Sequence, residues 1–341
     1  MRRNLLLALV SLLAALALLE IALRIFPYEE HQANNEYLYR QRTGEKQFLT
    51  PYHSWRERFP PEFDSRGYYR RSGYTVDYSF DQHGARWATP TERPLLGATV
   101  LVVGDSFTYG SGVRFEDTWP QRTQESLRAA GFPATLLNFG KSGADAREAL
   151  KVYRTVGQKI PHTALIYGLN LNDLLEFGAS SIIRNRLLDY PLVRRSRLLE
   201  FAVKRVNASI IRKLRIRGLT SPAAFETRRF TENLRAIATM RAEAGKRGAR
   251  FFTALLPTLI DLRAGTFRPV YREILRRLED MGISCIDLSG TVDGFDEQSL
   301  WIIPVDQHPN EIANSLFAQA LAGRILAQRQ GLAGAETVPV P

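Results

Sequence analysis

Apolar and polar positions along the chain fall into three regimes. The first is continuous: Met1-Arg2-Arg3-Asn4 leads into LLLALVSLLAALALLEIALRIF, Leu5 to Phe26, which is 22 residues. At about 1.5 Å of rise per residue this makes roughly 33 Å of helix, enough to cross a hydrocarbon core of about 30 Å. Glu20 and Arg24 are four apart, so a helix places them on one face, where they can neutralise each other near an interface. Ala15-Leu16-Ala17 offers an A-x-A pattern for the rival reading, a cleaved secretory signal. Cleavage there leaves Leu18 to Phe26 as an uncovered apolar terminus. The expectation is therefore an uncleaved anchor over residues 1–26, with Arg2 and Arg3 keeping the N-terminus in the cytoplasm.

The second regime, residues 27–97, is polar. Residues 27–60 contain prolines and read as a stalk. Gly67 to Trp87 is rich in Tyr, Gly and Arg, and its YTVDYSF segment alternates with the period of two that a half-buried strand requires. This predicts a small β element laid against the main domain.

The third regime, residues 98–330, alternates apolar strand candidates with amphipathic helical patterns. The strand candidates are Thr99–Val103, Thr135–Phe139, Ala164–Tyr167, Phe251–Leu256 and Ile283–Leu288. Helical patterns run from the Thr118-Trp119-Pro120 start to Ala130, over Ala144–Gly157, Ser221–Gly245 and Pro269–Met281. Such alternation implies a parallel sheet with helices on both faces. Working residues then gather beyond the carboxyl ends of the strands. Phe177 to Pro222 interrupts the pattern with apolar pairs (Leu187-Leu188, Leu198-Leu199, Ile210-Ile211) set among arginines, which predicts a basic helical insertion acting as a lid or a membrane-facing subdomain. Gly331 to Pro341 reads as a flexible tail, and no internal repeat is visible.

Charge sharpens this picture. The chain carries a formal net charge of +11, and Arg184 to Arg217 alone holds eleven Lys/Arg against Asp189 and Glu200. A chain carried across a membrane by its anchor meets lipid headgroups and anionic envelope polymers, so the excess points to those and not to nucleic acid. A solvated helical face is the plain alternative. The single cysteine, Cys285, excludes an internal disulfide and a zinc cluster, and its apolar surroundings make it a buried strand residue.

Four short blocks carry candidate chemistry, each placed just after a strand. Val102-Val103-Gly104-Asp105-Ser106-Phe107-Thr108 puts a serine at a strand-to-helix turn, with its hydroxyl at the active edge of the sheet. Alone, Gly-Asp-Ser reads as a helix cap. Here Asn138-Phe139-Gly140-Lys141-Ser142-Gly143, Tyr167-Gly168-Leu169-Asn170-Leu171-Asn172-Asp173 and Asp306-Gln307-His308-Pro309-Asn310 follow in order.

Together the four blocks resemble the SGNH, or GDSL, hydrolase superfamily, over about Thr99 to Ile325. The resemblance implies a flavodoxin-like three-layer α/β/α sandwich of five parallel strands. It implies Ser106 as nucleophile and, with Ser106 N–H, two further oxyanion donors. One is a glycine N–H, placed at Gly143 by the spacing from Asn138, and the other is an Asn side-chain amide from the third block. The last block implies Asp306 and His308 as the catalytic acid–base pair. This chemistry needs no metal and no organic cofactor.

Two departures from the family pattern bear on the assignments. The third block is usually Gly-x-Asn-Asp, and here Asn170 stands where the glycine should be; Asn172 keeps the Asn-Asp pair and is preferred, with Asn170 as the alternative. The last block usually has two residues between Asp and His, and here it has one, with Val305 three before His308. Either Asp306 orients the imidazole across a tighter loop, as in the alginate-acetylation branch of the superfamily, or a carbonyl does. Among the other histidines, His31, His53 and His83 precede the sheet and His162 enters its strand from the amino end, so only His308 stands at the working edge.

The expected function is an esterase or O-acyl transferase. It would act on an acyl ester, such as acetyl, of a cell-envelope glycan or lipid, on the periplasmic side of an inner membrane and alongside envelope-polysaccharide machinery. A catalytically inactive glycan-binding relative and a lipase-like enzyme at the membrane surface are the competing expectations.

Overall fold

A computed structural model of the chain describes residues 2–25, 41–43, 47–59, 62–63, 69–71, 73–175, 190–303 and 306–335. Its contacts divide it into two units, Met1–Glu36 with Phe177–Ser221, and Tyr37–Glu176 with Pro222–Pro341.

In the first unit Arg2–Ile25 is one helix with exposed leucines along its length. Over Leu7–Ile25 its mean hydropathy is 2.2, long and apolar enough to cross a membrane or to serve as a signal sequence. Glu20 and Arg24 pair at 2.8 Å, as their spacing predicts. The same carboxylate also accepts from Ser196 Oγ at 2.9 Å, Arg197 N at 3.0 Å and Leu198 N at 2.7 Å. These two N–H groups open the helix Arg197–Thr220 and have no partner within it, so Glu20 supplies the anion that a helix N-terminus favours. The basic insertion thus contains a short helix, Pro191–Arg195, and a long one pinned to the apolar N-terminal helix. The first part of the insertion, residues 176–189, lies outside the described residues.

The second unit is built on a nine-stranded sheet with strands β1 (Gln41–Thr43), β2 (Ser54–Phe59), β5 (Tyr74–Phe80), β6 (Arg86–Trp87), β7 (Ala98–Gly104), β8 (Ala134–Gly140), β9 (Ala164–Leu169), β10 (Arg250–Leu255) and β11 (Cys285–Asp287). Between β2 and β5, the short strands β3 (Glu62–Phe63) and β4 (Tyr69–Arg71) form a separate ribbon. The sheet order is β1-β2-β5-β6-β8-β7-β9-β10-β11. The five strands from β8 to β11 are all parallel, and the first crossover runs outward before the rest run back. This is the flavodoxin-like doubly wound order, as expected, with its switch point between β7 and β9.

Alternation along the strands sends Val100, Val102, Leu136, Ile166, Ala254 and Ile286 to one face, against Trp119 and Leu127 of the helix Trp119–Ala129 and Phe317 and Leu321 of the helix Glu311–Ala335. Trp119 is fully buried, a side chain whose removal costs about 3–5 kcal/mol in such a core. The helices Ala146–Thr155 and Arg228–Gly245 pack together on the other face.

Three readings of the sequence are corrected. The β element does not lie against the domain; it continues the sheet, with Arg86 of β6 pairing antiparallel opposite Asn138 of β8 and so covering what would be an open edge. Part of the stretch read as a stalk is strand β2, whose Trp55, Glu57 and Phe59 are buried while Ser54, Arg56 and Arg58 are exposed. The last helix runs to Ala335, into the stretch read as a tail; residues 336–341 lie outside the described residues.

Candidate active site

Three glycines stand in register at the carboxyl ends of adjacent strands: Gly104 closing β7, opposite Gly140 closing β8 and Gly168, the last residue but one of β9. A Cβ on Gly104 would lie 2.3 Å from Thr108 Oγ1, on Gly168 2.1 Å from the same atom, and on Gly140 2.3 Å from Tyr109 N. The turn after β7 therefore sits directly on a glycine floor, which is why all three block positions need the smallest residue.

That turn is the short helix Ser106–Tyr109. Asp105 caps it, Oδ1 accepting from Phe107 N at 2.9 Å, so Ser106 is the first helical residue and not the cap. Gly110 N and Ser111 N both donate to Ser106 O, at 3.0 and 3.1 Å. Asn138 fixes the turn from β8, its Nδ2 donating to Thr108 O at 2.8 Å and its Oδ1 accepting from Gly140 N at 2.9 Å. Gly143 follows in the loop after β8 with a φ of +80°, the left-handed region that glycine enters freely. A surface hollow of about 590 Å³ adjoins this loop, lined by Lys141, Ser142, Gly143, Asp145, Arg147 and Glu148 among others.

The two asparagines of the third block go in different directions. Asn170 is buried; its Nδ2 donates to Leu256 O at 3.2 Å, and its Oδ1 caps the helix Leu171–Leu174 by accepting from Asn172 N at 3.3 Å. Asn172 instead turns to the serine turn, Nδ2 donating to Asp105 Oδ2 at 3.2 Å. The carboxylate would repel the amide oxygen, so it orients the amide as a donor. One N–H goes to Asp105, the second is left over, and Oδ1 is buried with no partner among the described residues. The Asn172 carbonyl is held by Arg229 Nη2 at 3.1 Å.

Two buried carboxyls lie beneath this layer. Burial pushes the Asp105 carboxyl up, against the opposing hydrogen bonds from Phe107 N and the Asn172 amide and the nearby His308 ring. Burial, and then the charge of Asp105, pushes Asp173 well above the usual carboxylate range. Its Oδ2 accepts from Tyr167 O–H at 2.9 Å and Asn170 N at 3.0 Å. Asp105, Asp173, Tyr167 and Arg229 were not assigned site roles from sequence. The only signal for them is that the first three lie within the blocks.

His308 and Asp306 belong to β13 (Asp306–Pro309), which pairs antiparallel with β12 (Trp301–Ile303). In an extended strand, residues two apart share a face. The single intervening residue thus serves where a looser loop would need two, and the Asp306 carboxylate meets His308 Nδ1 directly. Asp306 Oδ1 also accepts from His308 N at 3.1 Å. The Asp306 side chain is 3% exposed and that of His308 27%, a shielded carboxylate beneath a reachable ring edge. The His308 ring lies 5.8 Å, centroid to centroid, from Phe107, the residue after Ser106. Val305 lies outside the described residues.

The other described histidines are engaged elsewhere. His162 contacts Ile160 O at 2.7 Å and Tyr153 O–H at 3.1 Å at the amino end of β9, and His53 lies beside Trp55. His83 N donates to Asp81 Oδ1 at 2.8 Å, and His31 lies outside the described residues.

No family model matches the chain, and no curated protein does. Solved structures similar to it include a member of the lipolytic G-D-S-L family from Veillonella parvula, 14% identical with a TM-score of 0.39 over 66% of this chain and 96% of that one. Another is the psychrotrophic esterase EstA from Pseudoalteromonas sp., 15% identical with a TM-score of 0.39 over 68% of this chain and 99% of that one. A third is an acetylxylan esterase from Geobacillus stearothermophilus, 13% identical with a TM-score of 0.42 over 67% of this chain and 94% of that one.

Proposed function

We propose that this chain is an SGNH-type serine hydrolase or acyl transferase that cleaves O-acyl esters. The observation that carries the reading is the Asp306 carboxylate on His308 Nδ1, with that imidazole against the residue after Ser106. Occupation of Nδ1 leaves Nε2 as the nitrogen that takes the Ser106 proton. Ser106 Oγ then bonds to the carbonyl carbon, and the oxyanion is met by Ser106 N–H, Gly143 N–H and the spare N–H of Asn172. Collapse breaks the bond to the alcohol, which leaves with the proton from His308. Water or an acceptor hydroxyl next attacks the acyl-serine, giving its proton to His308, and the bond to Ser106 Oγ breaks as His308 returns that proton to the serine oxygen. Turnover of p-nitrophenyl acetate by the purified chain, lost in Ser106→Ala, tests this reading; equal turnover by both proteins would refute it.

The orientation of Asn172 makes a separable forecast. Asn172→Ala should lower kcat by about 10²–10³-fold, the range for loss of one oxyanion donor. Asn170→Ala should act mainly on stability, by about 0.5–2 kcal/mol for a lost helix cap, with the larger fall in Tm. Steady-state kinetics and thermal melts on both variants check it. The reverse pattern would transfer the donor role to Asn170.

An envelope glycan or lipid on the periplasmic side of the membrane is the substrate setting we favour. The apolar helix and Arg2-Arg3 support anchoring with the catalytic unit outside the cytoplasm, and the polar hollow beside Gly143 suits a hydroxyl-rich alcohol. Arg194, Arg195, Lys213 and Arg217 of the insertion are exposed, as are Tyr190, Leu192 and Val206, a mixture suited to an anionic interface. Each such cation contributes about 1 kcal/mol at an anionic surface. Changing all four to Gln should therefore lower kcat/KM by up to about 10³-fold on an ester carried in anionic vesicles, most strongly at low salt. Turnover of p-nitrophenyl acetate should stay within about twofold; equal loss on both substrates would make the segment structural. Chain-length preference on p-nitrophenyl esters separates short-acyl from lipase-like activity.

A further inference from the structure

The antiparallel strands that extend the sheet reach the nucleophile turn with a buried cation. Arg86 on β6 is fully buried. Its Nη1 donates to Tyr109 O at 2.5 Å and Gly110 O at 2.6 Å, and its Nη2 to Val113 O at 2.5 Å. The guanidinium carbon lies 4.7 Å from the Tyr78 ring centroid and 4.9 Å from that of Tyr109, two rings that stack on each other at 5.2 Å, so the fork also lies against a stacked aromatic pair. Arg86 is the cross-strand partner of Asn138, which holds Thr108 O. The pair thereby secures three consecutive carbonyls, Thr108 to Gly110, where a helix of one turn leaves its carbonyls unpaired.

The same extension grips the rest of the loop. Gly112 N donates to Tyr78 Oη at 2.8 Å, and Tyr74 O–H donates to Gly112 O at 3.0 Å. One apolar cluster then joins Trp55, Phe59, Val76, Tyr78 and Phe80 of the extension to Tyr109 and Val113 and to Ile302 and Ile303 of β12. β12 pairs with the strand that carries Asp306 and His308. The extension thus touches both halves of the site from behind: the serine turn through polar contacts and the histidine hairpin through packing.

We propose that Arg86 is a positioning residue for Ser106, an inference that rests on the assignment of Ser106 as nucleophile. The path is short. Arg86 fixes the carbonyls of Tyr109 and Gly110, Gly110 N and Ser111 N hold Ser106 O, and the turn that carries Ser106 is thereby held where its next residue, Phe107, lies 5.8 Å from the His308 ring. Loss of the fork lets the serine drift by a fraction of its reach, and a misplacement of about 1 Å can cost about 10²-fold in rate.

The test uses the full chain with Arg86→Lys, whose point charge cannot serve three carbonyls as a planar fork does. Folding is followed by circular dichroism and thermal melting. Reactivity is followed by fluorophosphonate labelling and by p-nitrophenyl acetate kinetics. The expected result is a folded protein whose kcat and labelling rate fall by about 10²-fold with KM within about threefold, and Arg86→Gly partly restored by millimolar guanidinium. A folded Arg86→Lys that labels and turns over at the wild-type rate would overturn the proposal. Should Arg86→Lys not fold, Tyr78→Phe decides, because it keeps the ring and removes the hydroxyl that accepts from Gly112 N. A fall in kcat at constant KM supports the positioning path, and a wild-type kcat overturns it. A wild-type chain that does not label would instead sink the Ser106 assignment, and the Arg86 proposal with it.

Discussion

Ser106→Ala and His308→Ala are each expected to lower kcat for a p-nitrophenyl ester by about 10⁶-fold, to the level left by binding and oxyanion donors alone. The hydrogen bonds that hold the serine turn run through Ser106 O, Asp105 and Asn138, none of them through Ser106 Oγ. Ser106→Ala should therefore melt with the wild type. His308→Ala takes the imidazole from the buried Asp306 carboxylate, which keeps the backbone N–H of residue 308, a loss of about 1–3 kcal/mol. Both proteins should be folded at room temperature, so their inactivity can be read as chemistry. Either variant turning over at the wild-type rate as a folded protein would remove that residue from the mechanism.

Asp306→Asn is expected to lower kcat by about 10⁴-fold while KM changes little. In the proposed mechanism Asp306 accepts the Nδ1 proton of His308 and so keeps Nε2 bare for Ser106. The Asn amide can turn its NH₂ toward Nδ1, which traps the opposite tautomer and leaves Nε2 protonated and unable to act as base. The carboxylate also stabilises the imidazolium that forms as Ser106 attacks. The geometry around the ring is otherwise kept, because residue 306 stays on β13 with its side chain on the face of His308. An Asp306→Asn variant of normal kcat would reduce the site to a Ser-His dyad.

The parallel core was readable because its strands are buried on both faces. β7 to β10 appear as apolar runs whose ends lie within two residues of the sequence reading. The extension was harder. SWRERF alternates correctly, but three of its six residues are charged, and buried Glu57 breaks the apolar face that marks a strand. YTVDYSF was recognised as a strand, yet nothing in it says which edge it joins; that is set by the single opposition of Arg86 to Asn138 across two strands.

The site shows the same division. Order along the chain and placement after strands brought out Ser106, Asn138 and His308. The choice between Asn170 and Asn172 depends on what lies beside each, Leu256 O for one and Asp105 for the other, and both partners are distant in sequence. The short Asp-x-His spacing reads as a defect if a loop is assumed and as a shared face once the segment is a strand. Arg86 stands in an unremarkable Gly-Ala-Arg-Trp and carries no motif at all. Its meaning comes from burial beneath the Ser106–Tyr109 turn.

The measurement that bears most directly on the central claim is tandem mass spectrometry of the intact chain after reaction with a fluorophosphonate. One adduct is expected, on Ser106, absent from Ser106→Ala and formed far more slowly in His308→Ala. An adduct on any other residue, or a folded wild-type chain that forms none, would contradict it.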